Sequence, residues 1–120
     1  MSLYNQKQVI YLISSPLSER DFNRFGIKNW IHRGWKVNVF DFTFLLYPKF
    51  WKFINGDKLS CNFGGLKIFQ NINGVLVVFK SLENKLVFIY FLGFSAAETR
   101  IRKVVQINGV LNRILLGSIS

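Results

Sequence analysis

The sequence predicts an α/β domain: a parallel sheet of five strands with helices on both faces. Five short apolar runs have the length and the β-branched and aromatic content of strands, and stretches with helical spacing fall between them. Alternation of the two element types with right-handed crossovers generates a parallel sheet. The 120 residues suffice for one hydrophobic core and leave no room for a second.

Val9-Ile10-Tyr11-Leu12-Ile13 is an unbroken apolar run ending at Ser14-Ser15-Pro16, which suits a strand buried on both faces. Ser18, with Glu19 and Asp21 behind it, has the pattern of an N-cap followed by acid in the first turn. Phe22, Phe25, Trp30 and Ile31 then recur on one side until Gly34, which predicts one helix over residues 18–33. Residues 35–43 form the second strand-like run. After Leu45-Leu46-Tyr47-Pro48, a short aromatic helix is predicted over 49–54, ended by Asn55-Gly56-Asp57. Residues 66–69 are a weaker third strand. Residues 75–84 must then cross over as a helix, although their valines individually favour strand. Residues 86–92 are the strongest strand, closed by Gly93-Phe94-Ser95. Ala96, Ala97, Ile101, Val104 and Val105 line one side of a helix whose other side carries Glu98, Arg100, Arg102 and Lys103, with Asn108-Gly109 at its end. Residues 111–116 are the last strand. An α/β domain ordinarily continues into another helix from there, so the chain is expected to be a piece of a longer protein.

Sixteen Lys and Arg against six Asp and Glu give a formal net charge of +10, and both halves of the chain share the excess. Such a surface favours anionic partners. Cys61 stands alone, so neither an internal disulfide nor a Cys-based zinc site is expected, and no metal is assigned. The longest apolar run, residues 86–97, is too short to cross a bilayer, for which ~18 to 20 residues are needed. No secretory signal is legible at the N-terminus, and a cytoplasmic setting is expected. Neither G-x-G-x-x-G nor a P-loop follows any strand, which argues against an ordinary dinucleotide or P-loop site. Gly93-Phe94-Ser95-Ala96-Ala97 imitates a hydrolase elbow, but His32 precedes the serine, against the chain order of that fold. Asp41, set in an apolar strand, is the carboxylate whose burial would shift its pKa. Nucleic-acid binding is not expected, because the strand aromatics lie in continuous apolar runs with no interleaved basic residues.

Ligands of open parallel sheets sit outside the carboxyl ends of the strands, where the strand order reverses. With the order 3-2-1-4-5, the facing loops are Ser14-Ser15-Pro16-Leu17-Ser18 and Gly93-Phe94-Ser95. Arg20 and Arg24 lie one turn apart beside the first loop, a place for a phosphate or carboxylate. Alternatively, Ser18 merely caps its helix and the arginines are solvated or paired with Glu19 and Asp21. Lys49, Trp51 and Lys52, among Tyr47, Phe50 and Phe53, have the composition of a helix facing a membrane interface; the alternative is a core-packing helix with its lysines in water.

The run from Val9 through Leu17-Ser18-Glu19-Arg20-Asp21-Phe22 to Gly26, then Arg33-Gly34-Trp35-Lys36-Val37-Asn38-Val39-Phe40-Asp41 and Leu45-Leu46-Tyr47-Pro48, resembles the N-terminal half of bacterial surface-polysaccharide biosynthesis proteins. These are glycosyltransferase-like chains of the two-Rossmann-domain (GT-B) type, and Phe91-Leu92-Gly93 and Leu116-Gly117-Ser118-Ile119 fit the same outline. The resemblance implies a Rossmann-like three-layer sandwich acting as the N-terminal, acceptor-side domain. It implies a saccharide or lipid-linked acceptor held by Ser14, Ser15, Arg20 and Arg24, with Gly93 and Ser95 as the opposite wall. The nucleotide-sugar donor would belong to a C-terminal domain, so no cofactor is expected within these residues and the fragment alone should be inactive. The place of work would be the inner face of the cell membrane. Two other readings stay open: a non-catalytic basic module that binds an anionic membrane or acidic partner, and a small flavodoxin-like regulator that binds a phosphate or nucleotide.

Overall fold

The computed structural model describes residues 7–82, 86–91, 95–108 and 114–115. The fold is α/β. Its sheet is centred on three parallel strands of six residues each: β1 (Gln8–Ile13), β2 (Lys36–Asp41) and β4 (Leu86–Phe91). β1 pairs with β2 from Gln8↔Lys36 to Ile13↔Asp41, and with β4 from Gln8↔Leu86 to Ile13↔Phe91. The short β3 (Leu66–Ile68) lies beyond β2, and the two-residue β5 (Ile114–Leu115) pairs with β4, so the order runs β3-β2-β1-β4-β5.

Strand alternation sends neighbouring residues of β1 to opposite faces, and each face meets its own apolar cluster. Ile10 and Leu12 join Phe40, Phe42, Phe69, Val75, Phe79 and Ile101, a cluster supplied by α6 (Ile72–Lys80) and α7 (Ala96–Asn108). Val9, Tyr11 and Ile13 join Leu17, Ile27, Val37 and Val39, under α1 (Glu19–Arg24) and α2 (Ile27–His32). β1 is therefore buried along its whole length, as its unbroken apolar run predicts.

The helices differ from expectation at three places. The single helix predicted over 18–33 is two, because Gly26 adopts a left-handed conformation (φ 76°) and breaks the ladder between them. The break turns Ile27 into the core and leaves Ile31 half exposed, whereas the periodicity puts Ile31 on the apolar side. The crossover helix α6 begins earlier than predicted, since Asn71 caps it by accepting from the Gly74 N–H at 2.8 Å. Its valines tolerate the helix because Val75 and Phe79, one turn apart, are buried against the sheet. The aromatic segment after β2 is three short helices: α3 (Thr43–Leu46), α4 (Pro48–Phe53) and α5 (Gly56–Leu59). The tripeptide Asn55-Gly56-Asp57, read as a terminator, instead starts a further turn of helix, with Asn55 left-handed at φ 53°.

The turn at Gly56 exists to receive Trp51, whose ring lies directly over it; any Cβ at Gly56 would fall inside the indole. Gly56→Ala is therefore expected to destabilise the fold by about 1 to 3 kcal/mol in urea denaturation. Gly64→Ala, where a Cβ meets nothing within 4 Å, should stay within about 0.5 kcal/mol of the native chain.

Candidate functional site at the carboxyl edge of the sheet

β1, β2 and β4 end together at this edge: Ile13 lies beside Asp41 on one side and Phe91 on the other. Ser14 leaves β1 half-buried and Ser15 is exposed. The loop is pinned where the Cys61 N–H donates to the Leu17 carbonyl at 2.7 Å. Ser18 caps α1, its hydroxyl accepting from the Asp21 N–H at 3.1 Å. Arg20 and Arg24 are exposed on that helix, and Arg24 pairs with Asp21 at 3.2 Å. Of the residues singled out in the first loop, Arg24 is thus engaged in an ion pair and Arg20 points to solvent.

Gly93 lies outside the described residues, and with it the first part of the second loop. Ser95 is described and is committed to the start of α7. Its hydroxyl accepts from the Glu98 N–H at 3.2 Å while its own N–H donates to the Glu98 carboxylate at 3.4 Å, the reciprocal arrangement of a capping box, and the hydroxyl also donates to that carboxylate at 2.9 Å. A buried acid at this helix end already answers its dipole. Tyr47 closes the arrangement, its hydroxyl 2.9 Å from the Ser95 hydroxyl. The segment after β2 and the helix after β4 are thereby clasped across the sheet edge. The sequence reading places neither Tyr47 nor Glu98 in the site, though Ser95-x-x-Glu98 carries the spacing of a capping box.

Asp41 is the last residue of β2 and is wholly buried, as is Thr43. Its Oδ1 accepts from the Thr43 N–H at 2.8 Å and the Thr43 hydroxyl at 2.5 Å, which fixes the start of α3. Its Oδ2 is buried with no hydrogen-bond partner among the described residues. Burial disfavours the charge, and although the Thr43 bonds favour it, the balance raises the pKa to about 6. Burial thus moves the carboxyl's change of charge toward neutral pH. At Cys61, burial, and then the negative charge of Glu19, push the thiol up, away from a reactive thiolate.

Elsewhere, Trp51 does not face outward with Lys49 and Lys52. It is buried, packed over Gly56 and edge-on to Phe44, while both lysines are exposed. His32 ends α2 at the surface. Among the described residues no three His, Cys, Asp or Glu side chains group as metal ligands, and no helix is long and apolar enough to cross a membrane. No family model, curated protein or solved structure matches the chain.

The raised pKa of Asp41 has a definite sign in stability. The folded state holds this proton more tightly than the unfolded chain, where the carboxyl titrates near 3.8. Its contribution is therefore fully present below that value and is lost as pH rises through about 6, a decline on the order of 3 kcal/mol. Asp41→Asn, isosteric with the protonated acid, should remove this part of the slope. Urea denaturation of both proteins at pH 4 and pH 7 checks it: parallel pH profiles would contradict the assignment.

Proposed function

We propose that the chain is a Rossmann-like three-layer sandwich serving as the acceptor-side domain of a glycosyltransferase-like protein in bacterial cell-surface polysaccharide biosynthesis. Its crevice at the carboxyl edge receives a saccharide, free or lipid-linked, and the nucleotide-sugar donor belongs to a second domain. The observation that carries this reading is the adjacency of β1 and β4 in the order β3-β2-β1-β4-β5, which makes the edge above them the switch point where ligands of open parallel sheets bind. The side chains present there support a polyhydroxylated ligand. Ser14 and Ser15 offer hydroxyls beside the Tyr47–Ser95 pair, and the β1 loop, Ser14-Ser15-Pro16-Leu17-Ser18, has no glycine-rich turn to wrap a dinucleotide pyrophosphate. Arg20 supplies a cation at the rim for the phosphate of a lipid-linked acceptor.

Arg20 and Arg24 are exposed and outside both apolar clusters, and an exposed pair such as Arg24–Asp21 contributes only about 0 to 1 kcal/mol. The double substitution Arg20→Ala/Arg24→Ala should leave the thermal midpoint nearly unchanged. It should weaken binding of a water-soluble, short-chain polyprenyl-pyrophosphate saccharide about ten-fold or more, a loss of roughly 1.4 kcal/mol or more, measured by isothermal titration calorimetry. Equal affinity of the two proteins, or no binding by the native chain, would overturn the acceptor reading.

A further inference from the structure

Three of the six large apolar side chains exposed among the described residues lie at the corner formed by α4 and α5. α4 is anchored by one side chain, the buried Trp51. At about 100° per residue, Lys49 and Phe53 project from the side of α4 opposite Trp51, and Phe50 and Lys52 from its flanks. Phe53 is 84% exposed and Phe50 48%. The following turn adds Leu59, 49% exposed, and Lys58. Over residues 49–59, three large apolar side chains thus stand in water among three lysines and one acid, Asp57.

Two further features make this corner more than a scatter of exposed residues. No carboxylate within the described residues pairs with Lys49, Lys52 or Lys58, so their charges are available to an external anion. Between α4 and α5 lies an open hollow of about 350 Å³, lined by Trp51 and Gly56 and bordered by Lys52, Asn55, Lys58 and the one acid, Asp57, with room for a hydrated phosphate between the two lysines.

We propose that the α4–α5 corner docks the protein on anionic phospholipid bilayers, with Phe50, Phe53 and Leu59 entering the interface and Lys49, Lys52 and Lys58 engaging lipid phosphates. Aromatic side chains settle at headgroup depth while lysines extend to the phosphates, and here both occur side by side on one short helix. Net charge decides against a second copy of the chain as the occupant: two domains of formal charge +10 repel, whereas an anionic leaflet attracts each lysine. Six residues of α4 rise only about 9 Å, so the corner rests in the interface and does not penetrate. The inference stands apart from the acceptor reading, because it needs no saccharide.

Co-sedimentation with vesicles tests it, comparing phosphatidylcholine alone with vesicles containing roughly one-third phosphatidylglycerol. The native chain should bind the anionic vesicles and release them as salt is raised. Each Lys→Ala change at 49, 52 or 58 should weaken partitioning about five-fold, and Lys36→Ala, at the amino end of β2, should leave it unchanged. Phe50→Ser/Phe53→Ser should abolish binding, with circular dichroism confirming an intact fold. In Phe53→Trp, brominated lipids should quench fluorescence beyond the level of the native chain. Equal binding to neutral vesicles, an effect of Lys36→Ala as large as that of the corner lysines, or retained binding by the double phenylalanine variant would overturn the proposal. An unquenched Trp at position 53 would overturn it too, and would point to an acidic protein as the occupant.

Discussion

Tyr11 is a large side chain with a polar end in the middle of β1, the strand that both apolar clusters share. It stacks on Phe25 and Phe91 with ring centroids 5.6 and 5.9 Å away and planes 8° apart, which joins α1 and β4 across one face of the sheet. Its hydroxyl donates to the Phe25 carbonyl at 2.6 Å and accepts from the Trp30 indole N–H at 2.9 Å. A buried hydroxyl without such partners would cost about 1 to 3 kcal/mol. Satisfying it requires Phe25 to end α1 with a free carbonyl and Trp30 to return over the sheet one turn into α2. The kink at Gly26 allows both, so the broken helix follows from the tyrosine beneath it.

The same strand fixes where polarity can be tolerated. β1 is covered on both faces, so a site cannot open along its length and must lie at an end. Its carboxyl end is where Asp41 interrupts the series Val37, Val39 on β2 with an acid on the same face. One carboxylate oxygen is explained by α3, whose first N–H it caps. The other has no partner among the described residues, and a valine in this place would pack without any charge to desolvate. Residues that lower stability without a structural return concentrate at functional sites, and this one stands at the edge that the topology already marks.

Legibility in the sequence followed the range of the interactions involved. β1 was legible because burial on both faces leaves an unbroken apolar run, and it exceeds the marked run only by Gln8, while β2 and β4 fall within the runs that the sequence marks. The cap at Ser18 was legible because its partner is three residues away. The partition of residues 18–33 was not, since Gly26 looks ordinary until the contacts of Tyr11 with Phe25 and Trp30, 14 and 19 residues distant, are known. Asp41 could be singled out by its apolar neighbours, whereas the bond from Tyr47 to Ser95 spans 48 residues and no local pattern announces it. Trp51 was placed with Lys49 and Lys52 on a membrane-facing surface for a different reason: its inward turn, which fits the core-packing alternative, depends on the bare backbone of Gly56, which the sequence presents as part of a turn signal.

The connection between β2 and β3 is where this fold spends more chain than its topology requires. A parallel crossover needs about a dozen residues and usually a single helix. Residues 42–65 instead make three short ones. A single amphipathic helix would bury one continuous stripe, but fragments of four, six and four residues cannot. Thr43 and Trp51 are buried and Leu45 and Leu46 pack against the core, which holds the first two to the body of the domain, while Phe50, Phe53 and Leu59 are left outside. The excursion thus does two things that a plain crossover would not: it brings Tyr47 over the sheet edge to meet Ser95, and it carries Phe50 and Phe53 out beside three lysines with no carboxylate partner among the described residues. One stretch of chain therefore shapes both the carboxyl edge of the sheet and the surface presented beside it. A ligand bound at the edge and an anionic layer under α4 would be held in a fixed relation by the few residues from Tyr47 to Phe53.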